Sequence, residues 1–171
     1  VSKETKEEEF LDFVQQSKDF ISNGKSVAYV ICKGALVSDI VPCFGNSNLM
    51  KREDALRTIL MESGEEDIFV STTGKTSREL FELREAMNQG HERDFLTVGS
   101  MGHASMIAMG ISIGIPERTI WCIDGDGSAL MHLGSMVVLA KTGCKRLVHI
   151  VFNNGAHESV GGMPVAYGKT D

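Results

Sequence analysis

Residues 119–162, TIWCIDGDGSALMHLGSMVVLAKTGCKRLVHIVFNNGAHESVGG, constrain this chain more than any other stretch. They open with an apolar run, 119–123, short enough to be a buried strand. Gly125, Asp126, Gly127 and Ser128 follow. Leu130, Leu133, Met136, Val137 and Ala140 then recur at the i, i+3, i+4 spacing of one helix face. Gly143 falls where a helix-ending glycine is favoured. A second apolar run, 147–152, leads into Asn153, Asn154 and Gly155. Strand, acidic glycine turn, helix, strand and polar turn make a βαβ unit. Its two strands must run parallel, so both turns meet at one carboxyl edge of the sheet.

The chemistry available at that edge is a divalent cation holding a phosphate. Asp126 offers a carboxylate and Asn153 or Asn154 an amide oxygen, the hard ligands that Mg²⁺ prefers. Gly127 and Ser128 open the helix, where backbone N–H groups and a hydroxyl suit an anion. Rival patterns fail on single residues. An EF-hand loop starting at Asp124 needs Gly at 129 and Glu at 135, where the chain has Ala129 and Ser135. A dinucleotide fingerprint starting at Gly125 needs glycine at 130, which is Leu130. Upstream, Gly74-Lys75-Thr76 between a strand and a helix suggests a nucleotide-binding P-loop, but the glycine required at 69 is Phe69.

A Gly-Asp-Gly-Ser turn closed by Asn-Asn at this distance resembles the cofactor motif of thiamine-diphosphate-dependent decarboxylases. Ser100-Met101-Gly102-His103-Ala104 upstream and Gly155-Ala156-His157-Glu158-Ser159 downstream are most similar to the branch acting on phosphonopyruvate, with the sulfopyruvate branch next. The resemblance runs from residue 26 to the end. It implies an α/β fold: an open, mainly parallel sheet with helices on both faces, carrying thiamine diphosphate and Mg²⁺.

By the same resemblance, Asp126, an Asn side chain and the carbonyl near Ala156 hold the metal. Asn154 is favoured over Asn153. Gly125, Gly127 and Ser128 hold the diphosphate, and Thr73 and Lys75 touch the cofactor. The Gly99 carbonyl, beside Ser100, accepts a bond from the aminopyrimidine, and Met101 is the apolar wedge that keeps the cofactor bent. His157, on the loop facing the cofactor, is the catalytic candidate and a contact for the substrate's phosphonate or carboxylate. Each role has a plainer counterpart. Thr73 and Lys75 also suit a helix-opening turn, and Met101 a core methionine. His103 fits either role, whereas His132 and His149 read as structural.

The remaining sequence bounds these readings. With 171 residues, 42% of them hydrophobic, the chain has enough apolar material for one core. A formal net charge of −6 argues against nucleic acid or anionic membrane as main partner. No apolar run approaches the roughly 18 residues of a spanning helix. Cys32, Cys43, Cys122 and Cys144 lack metal-type spacing, and read as buried reduced thiols of a cytoplasmic protein.

Residues 1–23 predict an amphipathic helix, with Phe10, Phe13, Val14, Phe20 and Ile21 on one face. Residues 26–32 predict a strand, and 35–50, without periodicity and with Pro42 and Gly45, a linker. Helices are predicted from Lys51 and after Gly74, with core strands at 67–71, 95–98, 119–123 and 147–152. The family pattern makes residues 1–34 the tail of a pyrimidine-binding domain. Residues 51–171 are then a diphosphate- and Mg²⁺-binding domain, truncated at its C-terminus. A pyrimidine-binding domain of the same or another subunit would supply the activating glutamate, in a homo-oligomer acting on a small 2-oxo acid. Two other readings stay open: a cofactor-binding module that needs a partner chain, and a nucleotide enzyme built on Gly74-Lys75-Thr76.

Overall fold

The computed structural model describes residues 1–36 and 50–165. The chain divides into two compact units, Val1–Val41 and Pro42–Asp171. Residues 37–49, most of the expected linker and Cys43 with it, lie outside the described residues.

In the first unit α1 spans Glu7–Ser22, with Glu7, Glu8 and Glu9 complementing the helix dipole in its first turn. Gly24, at φ +73°, follows its end in the left-handed conformation that glycine tolerates. The buried stripe is narrower than expected. The Tyr29 hydroxyl donates to the Phe13 carbonyl at 3.1 Å and pairs with the hydroxyl of buried Ser17. The Phe10 and Tyr29 rings meet edge to face, 5.8 Å apart. Phe13, Phe20 and Ile21 remain exposed. Residues 26–32 do not form the predicted strand. Their β-branched residues favour extended backbone, but a strand needs a ladder partner, and no described strand pairs with them. Cys32 is consequently exposed, not buried.

The second unit runs α2 (Arg52–Glu62), β1 (Ile68–Ser71), α3 (Lys75–Ala86), β2 (Asp94–Leu96) and α4 (Ala104–Gly114). Then come β3 (Ile120–Gly125), α5 (Asp126–Met131), α6 (Gly134–Thr142) and β4 (Leu147–Phe152). A short hairpin of β5 (Ala156–His157) and β6 (Met163–Pro164) encloses a 3-10 turn, Glu158–Val160. The four main strands are all parallel, in the order β2-β1-β3-β4.

The pleat sends alternate residues of each strand to opposite faces. Phe69 and Ile123 pack with Leu56 and Leu60 of α2 and Leu80 and Leu83 of α3. Val70, Ile120 and Cys122 pack on the other face against Ala104 and Ala108 of α4. Helices thus cover both faces, as an open α/β sheet requires. Phe69 stacks on Trp121, whose indole N–H donates to Asp67 at 2.8 Å.

Strand order decides where a ligand can bind. The chain leaves β1 for β2 on one side, then crosses to β3 on the other. The connections after β1 and β3 therefore diverge to opposite faces and leave a crevice at their carboxyl ends. In this unit three boundaries differ from the sequence expectation by more than one residue. β3 continues to Gly125, β2 ends at Leu96 before a fully exposed Val98, and one predicted helix is two, broken at His132 before Gly134. Among the described residues no helix is long and apolar enough to cross a membrane.

Candidate functional site

A cavity of about 870 Å³ opens at that crevice. Its walls are the turns after β1, β3 and β4, together with Met101 and the first residues of α2. The parallel register that pairs Gly125 with Phe152 brings the acidic turn beside the asparagine turn.

Asp126 joins them. One of its carboxylate oxygens accepts the Gly155 N–H at 2.7 Å, and the other accepts the Gly127 N–H at 2.7 Å. The Asn153 amide oxygen accepts the same Gly155 N–H at 3.1 Å, and that of Asn154 accepts the Ala156 N–H at 3.0 Å. Both asparagines thus fold their oxygens back onto the turn, which passes through Gly155 at φ +71°. The donor set is all oxygen, and each of these oxygens keeps a lone pair after its single backbone bond. That chemistry fits a hard cation such as Mg²⁺.

Ser128 also lines the cavity. Its hydroxyl is buried, lies 2.8 Å from the Thr72 hydroxyl, and accepts the Gly102 N–H at 2.8 Å. That hydroxyl thus links three turns. Behind it stands Asp124, fully buried, which accepts the Gly125 N–H at 2.9 Å and faces the His149 Nε2 at 3.4 Å. Burial alone would raise the Asp124 pKa, but bonds from His149, Ser128 and Gly125 hold it below the ordinary carboxylate value. Burial, with Asp124 nearby, pushes the Cys122 thiol up. Cys122, Asp124 and His149 offer ligand atoms within 4.8 Å of one another, but a protonated thiol is a poor metal ligand.

The turn after β2 carries the other candidates. Gly99 N–H donates to the Thr73 hydroxyl at 3.0 Å, tying this turn to the one after β1. Gly99, Ser100 and Gly102 all have positive φ, which costs Ser100 some strain. Only glycine fits at 102, because a Cβ there would lie 2.8 Å from the Ser128 carbonyl oxygen. Met101 lines the cavity, whereas Gly99 and Ser100 do not. Gly125, Gly127, Thr73, Lys75, Ala156 and His157 do line it. The imidazole of His157 rests on Gly127 so closely that a Cβ at 127 would lie 2.2 Å from its Cε1. The His103 and His132 rings meet at a tilt of 56°, 4.1 Å between centroids, and neither lines the cavity.

Sequence reasoning missed Arg52 and Glu79, which also line the cavity. Arg52 grips Glu79 with two bonds, 2.6 and 2.5 Å, and its Nη2 reaches Glu158 at 3.2 Å. Lys75 reaches the same Glu158 oxygen at 3.2 Å, and Asn154 donates to the other at 2.9 Å. No local motif marks Arg52, which looks like any charged residue opening a helix.

The family description "Thiamine pyrophosphate enzyme, C-terminal TPP binding domain" matches residues 72–171. The chain belongs to the thiamine pyrophosphate enzymes, and the cavity occupies the edge of their C-terminal TPP-binding domain. It is 42% identical over 112 residues to a phosphonopyruvate decarboxylase of Streptomyces hygroscopicus, covering 66% of this chain and 26% of that protein. It is 36% identical over 119 residues to a sulfopyruvate decarboxylase subunit beta of Methanocaldococcus jannaschii, covering 70% of this chain and 60% of that protein. A sulfopyruvate decarboxylase of Methanosarcina acetivorans is 35% identical over 130 residues, 76% of this chain and 30% of that protein. The chain thus spans less than two thirds of the length of each of these relatives.

Proposed function

We propose that this chain forms the diphosphate- and Mg²⁺-binding half of a decarboxylase that converts phosphonopyruvate to phosphonoacetaldehyde and carbon dioxide. Sulfopyruvate is the alternative substrate. The observation that carries the reading is the Asp126–Gly155 bond of 2.7 Å, which closes the acidic turn onto the asparagine turn at the sheet's switch point.

When bound, thiamine diphosphate supplies the nucleophilic carbon and the electron sink that loss of carbon dioxide needs. The protein's residues bind and orient. Asp126, Asn154 or Asn153, and the Ala156 carbonyl would hold Mg²⁺, which neutralises diphosphate oxygens. Gly125 and Gly127 let that group approach the backbone, and Thr73 and Lys75 border it. Ser128, at the cavity wall, also fixes the turns through Thr72 and Gly102. Met101 offers an apolar surface for the cofactor to bend over, with the Gly99 carbonyl as acceptor for its amino group. His157, held against Gly127, contacts the substrate's acidic group.

A pyrimidine-binding domain, of which residues 1–34 are the tail, would complete the site with an activating glutamate. The name of one relative, a subunit beta, supports a partner polypeptide of the same kind. We also infer oligomeric assembly, and no turnover by residues 1–171 without that domain. A cofactor-binding module is therefore the second reading for the chain alone. It is favoured by the likeness to a relative that is itself named a subunit beta.

Thermal unfolding with and without thiamine diphosphate and Mg²⁺ tests the assignment. A hundredfold excess over the dissociation constant should stabilise the protein by about 2.7 kcal/mol. Asp126→Ala should remove most of that gain. An unchanged melting temperature for the unsubstituted protein would sink the reading.

A further inference from the structure

We propose that Glu158 is a resident counter-anion for Arg52 and Lys75, displaced when a phosphate-type oxyanion enters the cleft. This role rests on the cleft being a phosphate-binding site, as proposed above.

Donors from three separate elements converge on this one carboxylate. Arg52 opens α2 and Lys75 opens α3, and both reach the same Glu158 oxygen at 3.2 Å. Asn154, from the turn after β4, donates to the other oxygen at 2.9 Å. Two cations and an amide around two oxygens is the donor set of an oxyanion site, here filled by the chain's own side chain.

The charges show what displacement would gain. Glu79 already takes two of the Arg52 bonds, and with side chains 19% and 16% exposed that pair is anchored. Glu158 therefore neutralises the positive charge that remains, chiefly that of Lys75. A phosphate or phosphonate dianion brings more charge and a third oxygen to the same donors, so it competes well. The resident carboxylate is held by the same donors that an incoming oxyanion would need, so the two compete.

Glu158 can also leave. It belongs to a single 3-10 turn, Glu158–Val160, followed by Gly161 at φ +81°. Its side chain is 37% exposed, so rotation toward water needs no repacking of the core. Arg52 and Lys75, by contrast, stand at the starts of packed helices.

The incoming oxyanion has two possible sources, the cofactor's diphosphate and the acidic group of the substrate. Calorimetric titration of the chain with inorganic pyrophosphate and, separately, with methylphosphonate distinguishes them. Glu158→Gln should tighten binding of the relevant anion roughly two- to fivefold, the range expected for removing one partly exposed competing charge. Lys75→Gln should weaken it by a similar factor. An effect confined to pyrophosphate assigns the cluster to the cofactor, and one confined to methylphosphonate assigns it to the substrate. Hydrogen exchange of the unsubstituted chain supplies a second readout, with faster exchange at residues 158–162 once the anion is bound.

Unchanged or weaker binding of both anions by a folded Glu158→Gln variant would overturn the displacement. So would exchange at 158–162 that slows on anion binding. Failure of the cofactor reading looks different: thiamine diphosphate with Mg²⁺ then gives no stabilisation, while the response of methylphosphonate to Glu158→Gln persists.

Discussion

The Ser128 and Thr72 hydroxyls lie 2.8 Å apart, buried, at the point where the turns after β3 and β1 diverge. Ser128 also accepts the Gly102 N–H, so one hydroxyl sets the spacing of three turns around the cleft. Ser128→Ala leaves the Thr72 hydroxyl and the Gly102 N–H without that partner. The expected cost is about 1–3 kcal/mol, read by denaturant unfolding. A loss below about 0.5 kcal/mol would mean that the three turns hold their spacing without it.

Gly127 and His157 compete for one volume, because a Cβ at 127 would meet the imidazole at 2.2 Å. Gly127→Ala should destabilise the protein by about 1–3 kcal/mol through that overlap. Combining it with His157→Ala empties the space, so the pair should be coupled by at least roughly 0.5 kcal/mol in a double-mutant cycle. Strict additivity would place the imidazole elsewhere.

Met101 borders the cavity and is only partly buried, unlike the core side chains Leu56 or Phe69. Met101→Ala should therefore cost less than the about 2–5 kcal/mol of a truncated core methionine. Turnover of the assembled enzyme should fall about tenfold or more if this residue shapes the cofactor. Full activity with strong destabilisation would make it a core residue.

Asp124 gives a pH dependence of known sign. Its folded pKa lies below the model-compound value of 3.8, so its stabilisation is fully present above that value. It is lost as pH falls through the lower folded value. The melting-temperature difference between Asp124→Asn and the unsubstituted protein should stay constant above about pH 5 and shrink below 3.8. A difference that grows on acidification contradicts the sign.

The substrate contact proposed for His157 can be tested through specificity. The assembled enzyme should turn over phosphonopyruvate with a higher kcat/KM than pyruvate or sulfopyruvate, and His157→Ala should narrow that gap. Equal values for phosphonopyruvate and pyruvate would remove the imidazole from the specificity argument.

Much of the second unit was legible locally. Runs expected as strands at 67–71, 119–123 and 147–152 became β1, β3 and β4, because a strand buried on both faces needs little more than a short apolar run between turns. The Gly-Asp-Gly and Asn-Asn turns were expected to meet, since parallel strands joined by one helix end at the same edge, and Asp126 bonds the Gly155 N–H. Residues 26–32 carried an equally good strand pattern and failed, because pairing depends on a neighbour that local pattern does not specify. Ser128 shows a subtler limit: its place at a helix start was visible, but the direction of its hydroxyl depends on Thr72, 56 residues away. Strand order is the largest example. Putting β1 between β2 and β3 creates the crevice, and sums over packing of α3 and α4 on opposite faces decide it. Only the folded chain brings Arg52 and Lys75 to Glu158, because charges far apart in sequence become neighbours through the sheet between them.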